Sequence, residues 1–404
     1  MLRCGLIGEK LGHSYSPQIH GMLSDYEYRL YELSSDELEG FIKSGDWDGL
    51  NVTIPYKKAV LPLCDKLSPA AKRTSSVNTL VRRGKKIYGD NTDVFGFEHM
   101  LRRNNVDPDG KKALILGNGG VSPSVRYVLE RLGARVVVIS RSGEDNYGNL
   151  ERHRDASLIV NATPVGMYPN NGKSPVDLTL FPKCAAVLDL IYNPARTALL
   201  LQAQSLGINC GNGLDMLVAQ AKLGCELFTE KDVPDERIGE IEAALSREML
   251  NIVLVGMPGC GKTTVAELLG KKTGREVIDT DRLIEQRVGI SVPEIFARFG
   301  ESEFRRLETA VIADVGKRSG CIIATGGGCV TVPENYPLLR QNSTVVWLRR
   351  DISSLPTEGR PLSSGADLSR MYDVRAPLYE KFSNLKADNV LDPEYTADYI
   401  LRSL

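Results

Sequence analysis

The sequence predicts an α/β protein built on parallel sheets with helical crossovers. Three observations carry that expectation. Short apolar runs of strand length alternate with helix-length amphipathic segments along nearly the whole chain, the pattern of β-α-β units. Two glycine-rich turns, one after Ala113–Leu116 and one after Ile252–Val255, stand where a strand would feed the N-terminus of a helix. The length of 404 residues allows two to three domains, each large enough to bury its own core.

Composition excludes several roles. With 50 Lys plus Arg against 51 Asp plus Glu, the chain lacks the basic surplus of a nucleic-acid binder. Aromatic residues make up only 6%, too few for base-stacking platforms. No apolar run is long enough to span a membrane. The start, MLRCGLIGEKLGHS, has no apolar core of signal-peptide length, so a cytoplasmic enzyme is expected. The eight cysteines form no Cys-x-x-Cys pair, which reads as reduced thiols and no structural metal site. A charged segment of helical period, Thr229 to Asn251, marks the main boundary, a short helical link.

In chain order, the strand Cys4–Ile7 leads to a loop carrying Ser14 and Ser16, a hydroxyl pair suited to a polyol or a carboxylate. LNVTIPYKKAV then places Thr53 and Lys57 after a second strand, SVNTL supplies Asn78, and GDNTDVFGF supplies Asp93. A lone Lys is usually a surface residue and a lone Asp before a helix is usually a cap. Here both stand among polar residues in apolar surroundings, where a Lys–Asp pair can exchange a proton with a hydroxyl. The turn Gly117-Asn118-Gly119-Gly120-Val121 follows a strand and precedes a helix, with Pro123 suited to its first turn, so a pyrophosphate would rest on the helix N-terminus. The next strand, Arg135–Ile139, ends in Ser140-Arg141-Ser142 with no acidic residue to take a ribose 2′-hydroxyl. An arginine between two hydroxyls suits a 2′-phosphate and predicts NADP(H) over NAD. Leu158–Asn161 and Ala186–Leu190 continue as strands.

Taken with NATPVGM, LIYNP and GNGLDMLVAQA, residues 2–232 closely resemble shikimate dehydrogenase. The resemblance implies that NADPH delivers hydride to the ketone of 3-dehydroshikimate while Lys57 and Asp93 handle the hydroxyl proton. Ser14, Ser16, Thr53, Asn78, Tyr192 and Gln220 would hold the carboxylate and hydroxyls, and Asp93 would also touch the substrate. Gly117, Asn118, Gly119, Gly120 and Val121 would cradle the pyrophosphate. Ser140, Arg141 and Ser142 would read the 2′-phosphate, and Gly213 with Met216 would line the nicotinamide side. The half is expected to be bilobed, with residues 1–93 plus 212–247 as substrate lobe and 94–211 as NADP-binding Rossmann lobe. Asp215 stands where a small residue is commoner, a departure expected to slow turnover.

The second half opens on IVLVGMPGCGKTT, read as strand, Gly256-to-Thr263 turn, and helix from about Thr264. Glycines turn backbone N–H groups onto phosphate oxygens, Lys262 adds a fixed positive charge, and the Thr263 hydroxyl can meet Mg²⁺. Gly259, Cys260, Gly261 and Thr264 complete the cradle of a nucleoside triphosphate. VIDTDRLIE then sets Asp279 and Asp281 at a strand end, one for the metal and one for a substrate hydroxyl. GESEFRRLE brings Arg305, ATGGG brings Gly327 and Gly328, GRP brings Arg360, and VRAPLY brings Arg375.

In this order these motifs resemble shikimate kinase over nearly all of Asn251–Leu404. The resemblance implies that Asp281 accepts the proton of the shikimate hydroxyl and that Arg305 and Arg375 fork the carboxylate. Gly327 and Gly328 would close over the ring. Lys262, Mg²⁺ on Thr263, and Arg360 from a lid would stabilise the transferring phosphoryl, with Asp279 on the Mg²⁺ shell. The lid is short, and Ser353 stands near where a basic residue is usual.

The full expectation is an α/β chain: a bilobed dehydrogenase with an NADP-binding Rossmann lobe, then a P-loop kinase domain with a parallel sheet at 248–404. Its cofactors are NADP(H), ATP and Mg²⁺, and its partners the small molecules 3-dehydroshikimate and shikimate. No nucleic acid and no membrane are expected, and self-association stays open. Two alternatives remain: a kinase-like half acting as a nucleotide-binding regulatory module, or a dehydrogenase preferring quinate and NAD.

Overall fold

The apolar runs of the sequence become three sheets of six, five and five strands. The computed structural model describes residues 1–12, 14–355, 365–390 and 392–404, the side chains of 365–367 excepted. The first sheet holds β1 (Arg3–Gly8), β2 (Glu27–Glu32), β3 (Gly49–Val52), β4 (Lys66–Leu67), β5 (Thr79–Arg83) and β6 (Lys86–Asp90). Their order is β2-β1-β3-β5-β6-β4. Helices α1 (Ser16–Leu23), α2 (Ser35–Ser44) and α3 (Pro69–Thr74) connect them. Leu38, Ile42, Trp47, Leu50, Tyr56, Val60 and Leu80 form the core of this lobe.

This sheet is mixed: β1–β2, β1–β3 and β4–β6 pair parallel, whereas β3–β5 and β5–β6 pair antiparallel. Gly84, at φ 61°, opens a two-residue turn that sets Arg83 directly opposite Lys86. Such a turn returns the chain beside itself, where a crossover would need a dozen residues or more.

From β6, helix α4 (Asp93–Arg103) leads into the second sheet: β7 (Lys112–Leu116), β8 (Arg135–Ile139), β9 (Leu158–Asn161), β10 (Ala186–Asp189) and β11 (Asn209–Gly211), in the order β11-β10-β9-β7-β8. All its pairings are parallel. Helices α5 (Ser122–Arg131) and α6 (Ala198–Ser205) belong to this lobe. Ala113 and Ile115 of β7 face one apolar cluster, with Phe97, Val125 and Leu129. Leu114 and Leu116 face another, with Phe181, Leu199 and Leu200. Burial on both faces is why these strands read as unbroken apolar runs. Helix α7 (Leu214–Thr229) packs on α4, where a Cβ at Gly96 would lie 2.7 Å from the Met216 carbonyl. Its far end sets Phe228 beside Cys4 and Val81 of the first sheet. The charged link becomes α8 (Glu236–Met249).

The chain divides into two compact units. One comprises Met1–Gly166, Lys173–Tyr192 and Leu199–Ala244; the other comprises Met167–Gly172, Asn193–Ala198 and Leu245–Leu404. The second unit carries β12 (Asn251–Val255), α9 (Lys262–Thr273), β13 (Val277–Asp279), α10 (Thr280–Val288), α11 (Val292–Val315), β14 (Ile322–Ala324), α12 (Asn335–Arg340), β15 (Ser343–Arg349), α13 (Gly365–Phe382), β16 (Leu385–Asp388) and α14 (Pro393–Ser403). Its sheet is wholly parallel, in the order β13-β14-β12-β15-β16. The central β12 has β14 on one side and β15 on the other, and ligands of such sheets sit beyond the carboxyl end of that switch point. Ser291 and Glu294 cap α11 reciprocally, and Gly300, at φ 79°, kinks it. All eight cysteines are free. Among the described residues no helix is long and apolar enough to cross a membrane.

Candidate active sites

The turn after β3 presents Thr53 and Lys57, and α4 begins at Asp93. Lys57 Nζ lies 2.6 Å from Asp93 Oδ2, and the two side chains are only 15% and 7% exposed. The other carboxylate oxygen, Asp93 Oδ1, accepts from Asn78 Nδ2 at 2.9 Å. Asn78 Nδ2 also reaches Thr92 Oγ1 at 2.9 Å and Gln220 Oε1 on α7 at 3.3 Å. Lys57, Asn78, Asp93 and Gln220, far apart in sequence, thus form one polar cluster. An ammonium with one proton committed to Asp93 keeps two for a substrate oxygen.

Sequence reasoning missed the residues that brace this cluster. Asn51, buried in β3, donates to Thr79 Oγ1 at 3.3 Å and accepts from Tyr28 Oη at 2.7 Å. Thr79 donates to Asn78 Oδ1 at 3.0 Å, and the Thr92 N–H donates to the same oxygen at 2.7 Å. Tyr28 is hydrogen-bonded in turn to Ser16. A continuous chain therefore joins Ser16, Tyr28, Asn51, Thr79, Asn78, Asp93 and Lys57. The available signal was a set of polar residues inside apolar strands, each of which needs a buried partner. Ser14 Oγ accepts the Ser16 N–H at 3.2 Å. Tyr192 meets Tyr15 edge-on at 6.0 Å between ring centroids, and burial pushes its hydroxyl pKa up.

On the cofactor side Gly117 sits at φ 98°, and a Cβ there would lie 2.7 Å from the Thr163 methyl. A Cβ on Gly119 or Gly120 would meet no atom within 4 Å, so the backbone there is open to a ligand. Asn118 is exposed, and Val121 precedes the first residue of α5. Ser140 is buried, while Arg141 and Ser142 are exposed just beyond β8. An open glycine turn at a helix start with a guanidinium past the neighbouring strand fits the pyrophosphate and 2′-phosphate of NADP(H). Gly213 has a packing reason as well: a Cβ would fall 2.1 Å from the Leu190 carbonyl. Met216 is buried beneath α4.

Asp215 turns toward helices rather than open space. It is buried in the first turn of α7, with Arg103 Nε at 4.0 Å and the Glu242 carboxyl of α8 hydrogen-bonded to it. Burial first, then Asp215, pushes the Glu242 pKa up to about 7, against the smaller pull of Arg103. His99, its own pKa lowered by burial, also feels the Asp215 charge. A carboxyl raised above its unfolded value of 4.5 favours the fold while protonated, and this favour is lost as pH rises toward 7. Glu242→Gln is therefore expected to be more stable than wild type by about 1 kcal/mol at pH 8 and equal at pH 4. Melting temperatures of both proteins across that range check it; a difference independent of pH would refute the raised Glu242 pKa.

In the second unit the phosphate loop runs from β12 into α9, with Gly261 at φ 96° capping the helix. Lys262 Nζ donates to the Gly256 and Met257 carbonyls at 2.9 and 3.0 Å. A cavity of about 570 Å³ opens above the loop. Gly259, Gly261, Lys262, Thr263, Thr264, Asp279, Asp281, Arg305, Gly327, Gly328 and Arg375 all line it. Cys260 is not among the lining residues. Its thiol is fully buried under Gly256, where a Cβ would sit 3.0 Å from the sulfur, and its N–H donates to Met257 O. Arg360 lies outside the described residues.

Asp279 caps α10 by accepting from the N–H groups of Asp281 and Arg282, and its Oδ2 accepts from Thr263 Oγ1 at 2.8 Å. A hydroxyl and a carboxylate oxygen side by side are the donor set a Mg²⁺ ion takes. Asp281 Oδ1 is buried with no hydrogen-bond partner among the described residues. Burial, then Asp279, raises the Asp281 pKa, against Lys262 and Arg305. Such a carboxylate accepts a proton more readily than an exposed one. Arg305 covers Gly328, where a Cβ would lie 2.1 Å from its Nη2. It pairs with the fully buried Glu308 at 2.6 Å, and burial pushes that carboxyl up to about 6. Glu308 escaped sequence reasoning; its only signal is the i,i+3 spacing from Arg305 on a helix. Arg375 Nη1 donates to the Gly327 carbonyl at 3.3 Å.

Comparison with known proteins finds relatives for both units. The model for the shikimate dehydrogenase substrate binding domain matches residues 6–80, and the shikimate kinase model matches residues 258–404. The NADP(+)-dependent shikimate dehydrogenase of Clostridium perfringens strain SM101 is 37% identical over 246 residues, 55% of this chain and 91% of that protein. A chorismate mutase/shikimate 5-dehydrogenase fusion protein from Clostridium acetobutylicum is 35% identical with a TM-score of 0.58, covering 61% of this chain and 97% of that one. The shikimate 5-dehydrogenase of Thermus thermophilus, solved with NADP(H) and shikimate, is 31% identical with a TM-score of 0.56, over 60% and 99% of the two chains. Through its N-terminal half, with an additional region similar to shikimate kinase following it, the chain belongs to the shikimate dehydrogenase family.

Proposed function

We propose that this chain reduces 3-dehydroshikimate with NADPH in its first unit and phosphorylates the resulting shikimate with ATP in its second. In the first unit the Lys57–Asp93 pair faces a substrate oxygen: Lys57 donates to the oxygen that gains charge as the ketone is reduced, and Asp93 holds Lys57 in place. NADPH, when bound, supplies the hydride. Lys57 carries the proton between the substrate oxygen and solvent.

The observation that carries the second activity is a single cavity shared by the phosphate loop, Asp281, Arg305 and Arg375. Two guanidinium groups on its wall suit a carboxylate, and Asp281 on the same wall can accept a hydroxyl proton. Bound Mg²⁺, beside Thr263 and Asp279, would supply charge neutralisation at the transferred phosphoryl. A nucleotide-binding regulatory module would need the loop but not these acceptor groups. The test is to supply 3-dehydroshikimate, NADPH and ATP·Mg together, then follow NADPH loss and shikimate 3-phosphate formation. Loss of NADPH without the phosphorylated product would leave the regulatory reading standing.

The nucleotide preference has its own test. Arg141→Ala removes a charge-assisted contact with the 2′-phosphate, about 1.5–3 kcal/mol. The KM for NADPH is expected to rise about 10- to 100-fold while that for NADH stays unchanged. An unchanged KM for NADPH would count against the assignment.

A further inference from the structure

We propose that Tyr379 is a positioning residue for the phosphoryl acceptor, an inference resting on the kinase reading above. Tyr379 lies on α13 one turn beyond Arg375 and is fully buried. A buried phenol must hydrogen-bond, and a phenylalanine would fill the same space without that requirement. The partner it takes is in the site: Tyr379 Oη donates to the Gly327 carbonyl at 2.5 Å. The same hydroxyl lies 3.9 Å from Met257 Sδ in the phosphate loop, and the ring packs against Trp347 at 5.8 Å. On its other side Gly327 abuts Pro258, where a Cβ would come within 2.7 Å of the proline ring. The Gly327 peptide is thus clamped between the phosphate loop and α13.

This clamp matters because Arg375 shares the same carbonyl and is itself hydrogen-bonded to the Tyr379 hydroxyl. Arg375 Nη1 is 3.3 Å from Gly327 O, a long bond beside the short one from Tyr379. With the carbonyl satisfied by the phenol, the guanidinium fork stays available for an anionic group on the acceptor. Without the phenol, Arg375 is the remaining donor to that carbonyl among the described residues, and the acceptor must compete for it. The peptide is also freer to rotate, which moves the Gly327–Gly328 surface facing the acceptor.

The test is Tyr379→Phe in the full chain, with the KM for shikimate and for ATP measured separately. The KM for shikimate is expected to rise about 5- to 20-fold, the loss of one hydrogen bond in the site. The KM for ATP should change less than twofold, and ATP should raise the melting temperature as much as in wild type. An unchanged KM for shikimate overturns the proposal. So does a parallel rise in both KM values with loss of the ATP-induced stabilisation, since that is what a merely structural role would give. Failure of the wild-type chain to phosphorylate shikimate would instead overturn the kinase reading, and the proposal with it.

Discussion

Lys57→Ala is expected to lower the dehydrogenase kcat by about 10²- to 10⁴-fold while leaving the KM for NADPH nearly unchanged. The size follows from the geometry. Lys57 is the cation on the Asp93 side of the cluster, 2.6 Å from that carboxylate and mostly shielded from water. Removing it deletes the group proposed to donate to the substrate oxygen and, among the described residues, leaves Asp93 with Asn78 as its side-chain donor. The glycine turn at 117–120 and Arg141 lie on the other lobe, so cofactor binding should survive. Steady-state kinetics with varied NADPH and varied 3-dehydroshikimate separate the two effects. A loss of only a few-fold in kcat would show that another group moves the proton. A large rise in the KM for NADPH would show that the substitution had disturbed the lobes rather than the chemistry.

The second large effect is expected at Asp281. Asp281→Asn keeps the size of the side chain but cannot accept a proton, so kinase kcat should fall by about 10²- to 10⁴-fold with the KM for ATP little changed. The dehydrogenase activity of the same chain is the internal control and should not move. The pH profile sharpens the test. Because burial and Asp279 raise the Asp281 pKa, the wild-type rate should fall as pH drops through a value higher than that of an unperturbed aspartate. Asp281→Asn should lose that acidic limb. A variant that retains both rate and limb would place the base elsewhere in the cavity, with Glu308 the next carboxyl to test, held at about 6 beside Arg305.

Most of the site was legible in the chain because the chemistry needs residue types at fixed local spacings. A phosphate loop is contiguous, so Gly259 through Thr264 announce themselves. The same holds for the turn at Gly117–Gly120 and for Asp279 with Asp281. What could not be read is whatever depends on contacts distant in sequence. Asn51, Thr79 and Thr92 gain their role from hydrogen bonds to Asn78 and Tyr28, across the first sheet. Glu308 is marked only by its spacing from Arg305, a pattern that on most helices is a surface ion pair. Asp215 was legible as an anomaly, but its partners, Arg103 and Glu242, come from helices about 110 and 27 residues away in the chain.

The sequence by itself determined the order of elements, the two glycine turns and the identity of nearly every charged group in the two sites. Periodicity and turn chemistry are local, and they leave a mark in every few residues. Tertiary structure decided three things. It made the first sheet mixed: the two-residue turn at Gly84 lays β6 antiparallel beside β5, and β5 itself runs antiparallel to β3. It turned the Cys260 thiol into the core, because the space under Gly256 admits an apolar atom and the cavity side is taken by its neighbours. And it set Tyr379 against the Gly327 carbonyl, a contact between residues 52 apart that only the packing of α13 on the phosphate loop brings within bonding distance.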